Sequence, residues 1–86
     1  MAVFAVLGLS NLEKLGESVS RNYPIDSLMV SSSHWFVVDS GTSKEVSDKL
    51  GISEGQTADA IVLGFQSYWG RAPSTIWEWL QSRLTR

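Results

Sequence analysis

Apolar and polar positions alternate along the chain in two rhythms. From Ala2 to Leu9 the sequence AVFAVLGL is apolar at odd and even places alike, so a strand there has no polar face and must be covered on both sides, as central strands are. Trp35 to Val38 (WFVV) and Ala60 to Phe65 (AIVLGF) repeat the pattern. Ser27 to Ser31 alternates instead, with Leu28 and Val30 pointing opposite to Met29, and suits an edge. Ser31, Ser32 and Ser33 then form a polar break between two short strands, which predicts a hairpin turn.

The segments between follow helical spacing. Leu12, Leu15, Val19 and Tyr23 make one stripe that ends at Pro24, where a helix cannot continue. Val46 and Leu50 share a face, and Gly51 followed by Ile52 predicts a left-handed cap with its apolar contact. Ile76, Trp77, Leu80 and Leu84 form the inner stripe of a third helix, with Trp79 at its margin and expected to be the least buried tryptophan. Each stripe follows the same start signal, a Ser or Thr that caps free amides and a glutamate three residues on that reaches back. The pairs are Ser10 with Glu13, Thr42 with Glu45, and Thr75 with Glu78.

The order β, α, β, β, α, β, α predicts an α+β fold: a ferredoxin-like β-α-β-β-α-β antiparallel sheet with an added C-terminal helix. Its first and third strands would sit in the middle. A rival reading fuses residues 27 to 39 into one strand of a parallel sheet, but three serines in a row fit a buried parallel strand badly.

Composition narrows the picture. With 86 residues, 43% hydrophobic and 19% charged, residues 1–86 make a single globular domain. A chain this short buries only about 60 to 65% of its unfolded surface. It has no cysteine and one histidine, His34, which excludes disulfides and thiolate metal sites and disfavours zinc. Neither a metal nor a cofactor is expected.

Coverage of the sheet therefore matters. In the first strand Phe4 and Val6 point one way and Val3, Ala5, Leu7 and Leu9 the other. Only one set can meet the two crossover helices. The other needs either the third helix or a second subunit, because at about 25 cal/mol per Å² an open apolar face rivals the whole stability of a small domain. A homodimer or higher oligomer is expected, with the open face, the last strand and the Trp77/Trp79 helix contributing.

Net charge is −2 and the pI about 5.2, which disfavours broad nucleic-acid or anionic-membrane binding. Residues 1–59 carry four basic and eight acidic groups (net −4), while residues 60–86 set Arg71, Arg83 and Arg86 against Glu78 (net +2). A local anion site near the C-terminus fits this asymmetry. The apolar run Ala2 to Leu9 is too short to span a membrane and no basic residue precedes it, so a soluble, cytoplasmic protein with its N-terminus retained is expected.

The most unusual stretch is Gln66-Ser67-Tyr68-Trp69-Gly70-Arg71-Ala72-Pro73. Tyr68, Trp69 and Arg71, with Trp79 on the following helix, are the residue types that anchor protein partners or stack on a base beside a phosphate. Packing of Tyr68 and Trp69 under the third helix is the plainer reading. Elsewhere the signals are poorer. His34 follows serines and precedes Asp39 by five residues, but an extended chain separates them by roughly 17 Å, too far for a catalytic triad. Gly8 to Glu13 offers a strand, a turn and a helix start without a phosphate-loop motif. Asp26, Asp39 and Asp59 form no close pair in sequence, so paired-carboxylate catalysis has no support.

The opening strand, the capped first helix, the Ser-rich turn into His34-Trp35-Phe36-Val37-Val38, the Thr42 to Leu50 helix and the Trp77 to Leu80 segment together resemble the short bacterial SinR-like proteins. These in turn are similar to the small ferredoxin-like nucleases associated with CRISPR adaptation. The resemblance implies the ferredoxin-like fold and dimerisation through the sheet. Those nucleases hold a metal with an aspartate at the end of the first strand, where this chain reads Leu7-Gly8-Leu9-Ser10-Asn11, and without such carboxylates magnesium is held poorly. The expected function is a non-catalytic oligomeric module that binds a macromolecular partner through Tyr68, Trp69, Arg71 and Trp79. The alternative is a metal-dependent nuclease or nucleic-acid-binding protein, and a third is an inhibitory protein that occupies a partner's surface.

Overall fold

In the computed structural model, which describes residues 1–84, β1 (Ala2–Gly8) lies between two neighbours because both its faces are apolar. Arg86, counted above in the C-terminal charge, lies outside the described residues. β1 pairs antiparallel with β3 (His34–Asp39) on one side and β4 (Ala60–Phe65) on the other, and β3 pairs antiparallel with the short β2 (Ser27–Met29). The order is β2-β3-β1-β4, an α+β arrangement of a four-stranded antiparallel sheet with three helices, α1 (Leu12–Asn22), α2 (Ser43–Leu50) and α3 (Ser74–Leu84). Of the three strands without a polar face, β1 and β3 are central, whereas β4 lies at the edge of the sheet with Ile61 and Leu63 exposed, so its apolar pattern does not mark a strand covered on both sides. Residues 27–39 are split as the serine break predicts, and Val30 and Ser31 both donate their N–H groups to the His34 carbonyl to close the turn.

The first face of the sheet carries Phe4, Val6, Trp35 and Val37. Against it lie Leu15, Val19 and Tyr23 of α1 and its end, and Val46 and Leu50 of α2, all buried. The α1 stripe and its stop before Pro24 thus match the spacing that predicted them. So do both ends of α2. Thr42 Oγ1 accepts the Glu45 N–H at 3.2 Å while Glu45 Oε1 accepts the Thr42 N–H at 2.8 Å, and Gly51 closes the helix at φ 77°. A Cβ at Gly51 would stand 2.3 Å from Thr57 Oγ1. Gly51→Ala is therefore expected to cost at least about 1 to 2 kcal/mol, the penalty of left-handed backbone in an L-residue, read as a lower urea midpoint with unchanged slope.

Two start signals act otherwise. α1 is capped by Asn11 in left-handed backbone (φ 45°, ψ 50°), a conformation asparagine tolerates; its side chain does not bond the helix amides but donates to the Thr57 carbonyl at 3.5 Å. Ser10 Oγ instead accepts the Asp59 N–H at 2.9 Å, because the Leu9 and Ser10 N–H groups both donate to the Asp59 carbonyl and pull the strand exit toward β4. α3 starts at Ser74, one residue before the expected cap, after Pro73 whose carbonyl accepts from Ile76 at 3.0 Å. Thr75 consequently sits inside the first turn.

α3 folds back on the second face of its own sheet. Leu80 is buried with Val3 and Val38, and Phe36, Phe65, Ile76, Trp77, Trp79 and Leu84 pack around them. Of the two ways to cover this face, the helix supplies cover for the rows of Val3 and Phe36. The row of Leu7 and Ile61, with the neighbouring Leu63, stays open: Ile61 and Leu63 keep 48% and 49% of their surface exposed. No helix among the described residues is long and apolar enough to cross a membrane.

Candidate binding surface

β4 ends at Phe65, and the chain from 66 to 73 crosses without regular structure to α3. Apolar rings hold this crossing in place. Tyr68 stacks on Trp77 with centroids 5.5 Å apart, and Trp69 leans on the same indole at 6.3 Å. Gly70 at φ 154° then turns the chain through backbone that favours glycine. The outcome is uneven. Tyr68 is half-buried, whereas Trp69 is 96% exposed, and Arg71 two residues on is also exposed.

Trp79 belongs to a different patch. Its ring packs on Phe36 at 6.1 Å and the Arg83 guanidinium lies 4.7 Å from its centroid. Trp77 and Trp79 are about 200° apart around the helix, so they flank Leu80 on opposite sides. The structure therefore gathers Tyr68 and Trp69 on Trp77, with the exposed Arg71 two residues further along the same crossing, and leaves Trp79 apart from them. It also corrects the expected ranking of the tryptophans: Trp79 is half-buried, and Trp69 is the exposed one. Helical spacing could not show this, because the cover over Trp79 comes from β3 and from Arg83.

Sequence reasoning missed Trp77 as the platform beneath both loop aromatics, and Arg83 as a bridge. Arg83 reaches Asp26 at 3.7 Å beside an open cleft of about 700 Å³ that Met1, Val38 and Gln66 also line. Aromatic residues next to arginine on a helix were the available signal. A second open cleft, about 710 Å³, runs between α1 and β2 past Glu13, Glu17, Met29 and Trp35.

The strongest electrostatic feature is elsewhere and is internal. Asp39 is buried at the end of β3, where it accepts hydrogen bonds from Tyr23 Oη (2.6 Å), Lys49 Nζ (2.8 Å) and the Gly41 N–H (2.7 Å). Burial opposes its ionisation, but the bonds from Lys49, Tyr23 and Gly41 and the lysine charge outweigh it and hold the carboxyl at about 2. Burial first, then the Asp39 carboxylate, pushes the Tyr23 phenol well above its ordinary value. Both carboxylate oxygens of Asp39 are engaged, which makes the node a clasp between the end of α1, β3 and α2.

The remaining sequence candidates do not converge. His34 Nδ1 meets Ser31 Oγ at 3.0 Å on the surface, but His34 and Asp39 stand at opposite ends of β3 and, with odd separation, on opposite faces. Asp26 pairs with Arg83 and Asp39 with Tyr23 and Lys49, and among the described residues no group of three or more His, Asp and Glu could hold a metal ion. Comparisons with protein-family models, curated proteins and solved structures found no match to this chain.

Proposed function

We propose that this protein is a non-catalytic binding module, an oligomer in the cytoplasm, that engages a macromolecular partner through its C-terminal third. The observation that carries the reading is Trp69, held against Trp77 and yet 96% exposed. A large apolar ring left in water costs stability unless something covers it, and Trp and Arg are among the residue types enriched at interface hot spots. Tyr68 supports the platform, and Trp79 with Arg83 offers a second aromatic and cationic contact on the far flank of α3. The β-α-β-β-α-β order with β1 and β3 central supports a ferredoxin-like arrangement, and kinship with the SinR-like proteins is part of the same proposal.

Trp69→Ala combined with Arg71→Ala is expected to weaken partner capture in a pull-down at least tenfold, the scale of a truncated hot spot, while circular dichroism stays unchanged. Capture that survives both substitutions overturns the site. Incubating the pure protein with RNA and DNA, with and without magnesium, tests the nuclease alternative. Chelator-sensitive cleavage would replace the binding reading.

A further inference from the structure

The hydrogen bonds of β1 fix which way β4 turns its backbone. Gly8 donates toward β3, to the Ser33 carbonyl, and Leu9 toward β4, to the Asp59 carbonyl. Alternation along an antiparallel ladder then assigns even residues of β1 to β3 and odd ones to β4. Since Leu7 lies opposite Ile61, Ala5 opposite Leu63 and Val3 opposite Phe65, the odd residues of β4 bond inward. Ala60, Val62 and Gly64 turn their N–H and C=O groups outward, and β4 is the last strand of the sheet on that side. Soluble proteins protect such an edge with lysine, proline, a bulge or a covering element. Ala60 to Phe65 contains no charge and no proline. Beside the free edge lies the open part of the second face, where Ile61 and Leu63 are half exposed.

We infer that β4 is a pairing edge for a second copy of this chain, joined antiparallel about a two-fold axis at Val62 to give a continuous eight-stranded sheet. The inference rests on the oligomeric part of the reading above and does not depend on Trp69. Register follows from parity, because outward residues must meet outward residues. Centring on Val62 pairs Ala60 with the partner's Gly64, Val62 with the partner's Val62, and Gly64 with the partner's Ala60. A shift of two residues in either direction loses one of these pairs. The same register sets Ile61 beside the partner's Leu63, and Leu63 beside the partner's Ile61, as non-hydrogen-bonded neighbours about 4.5 Å apart at Cα. Four half-exposed side chains thereby cover one another.

Charge favours a second copy over a foreign strand. Asp59 and the partner's Asp59 fall at opposite ends of the ladder, about 20 Å apart at 3.4 Å per residue, beyond the reach of unscreened repulsion in physiological salt. One uncharged, self-complementary strand thus satisfies both sides of the contact, as an isologous two-fold interface requires. Six residues of strand bury less than the roughly 800 Å² per partner of a standard interface, so the association is expected at micromolar concentration.

Sedimentation or light scattering from about 1 to 300 µM tests this, across the range a sub-standard interface spans. The mass is expected to rise from 9.5 kDa toward twice that value. Ile61→Lys with Leu63→Lys is expected to weaken association at least tenfold with an unchanged circular dichroism spectrum. Because the chain has no cysteine, Ile61→Cys with Leu63→Cys is expected to yield a covalent dimer on mild oxidation, whereas Leu63→Cys alone does not, since only the first pairing falls within disulfide reach. A monomer throughout the concentration range, or a dimer indifferent to the lysines and unlinked by the paired cysteines, overturns the proposal. If the dimer is instead lost in the Trp69→Ala and Arg71→Ala variant and kept in the lysine variant, self-association stands but runs through the C-terminal segment, and β4 is not its edge.

Discussion

Leu80→Ala is expected to lower the unfolding free energy by about 2 to 4 kcal/mol, within the range for deleting a buried leucine side chain. Leu80 is the buried residue through which α3 reaches Val3 and Val38, and the aromatic residues around it are only half covered. Their rings cannot close over the space that Leu80 vacates without leaving the strands they rest on. For a domain of this size, whose total stability is expected to be about 5 to 10 kcal/mol, the loss is a large fraction. Urea unfolding would show it as a lower midpoint, and increased binding of a hydrophobic dye would show the second sheet face opening. A loss under about 1 kcal/mol, typical of a surface site, would mean that α3 is not docked as described.

Replacing Asp39 with asparagine should cost about 2 kcal/mol at neutral pH, and the cost should vanish in acid. The folded carboxyl sits at about 2 against an ordinary value of 3.8, and each unit is worth 1.36 kcal/mol. The sign follows from linkage: a depressed carboxylate adds stability that is fully present above its unfolded value and is lost as pH falls toward the folded one. Wild-type stability should therefore fall between about pH 5 and pH 2, and Asp39→Asn should fall less steeply over the same window. Lys49 is half exposed, so salt screens part of the effect. Tyr23 carries the opposite linkage. Its raised phenol adds stability below pH 10 that is lost as pH climbs beyond it, and Tyr23→Phe should flatten that alkaline limb. Thermal unfolding across pH checks both, and parallel acid limbs for wild type and Asp39→Asn would refute the role of the clasp.

The elements were legible where the deciding contacts are local. Thr42 and Glu45 cap α2 because both partners lie within one turn, and Gly51 ends it because only backbone geometry is at stake. Ser10 and Glu13 match the same pattern and do not act so, since the Ser10 hydroxyl is taken by an amide 49 residues away. The candidate site was readable in part for the same reason. Tyr68, Trp69 and Arg71 stand out by type and proximity, but whether a ring lies in water depends on what crosses over it. Trp77 shelters Tyr68 without enclosing Trp69, and Phe36 with Arg83 shelters Trp79. The Asp39 clasp gave no sequence signal, because its donors come from positions 23, 41 and 49 and converge only when α1, β3 and α2 meet.

The amino-acid pattern by itself determined that three strands lack a polar face, where the helices run, and that one more apolar surface exists than two crossover helices can hide. Those are consequences of backbone periods of 2 and 3.6 residues, which any chain segment carries with it. Only the tertiary structure decided how that surplus is shared. α3 closes over Val3, Val38 and Phe36 and stops short of Ile61 and Leu63, because the reach of the crossing from Phe65 to Ser74, and the aromatic packing that anchors it, set where the helix comes to rest.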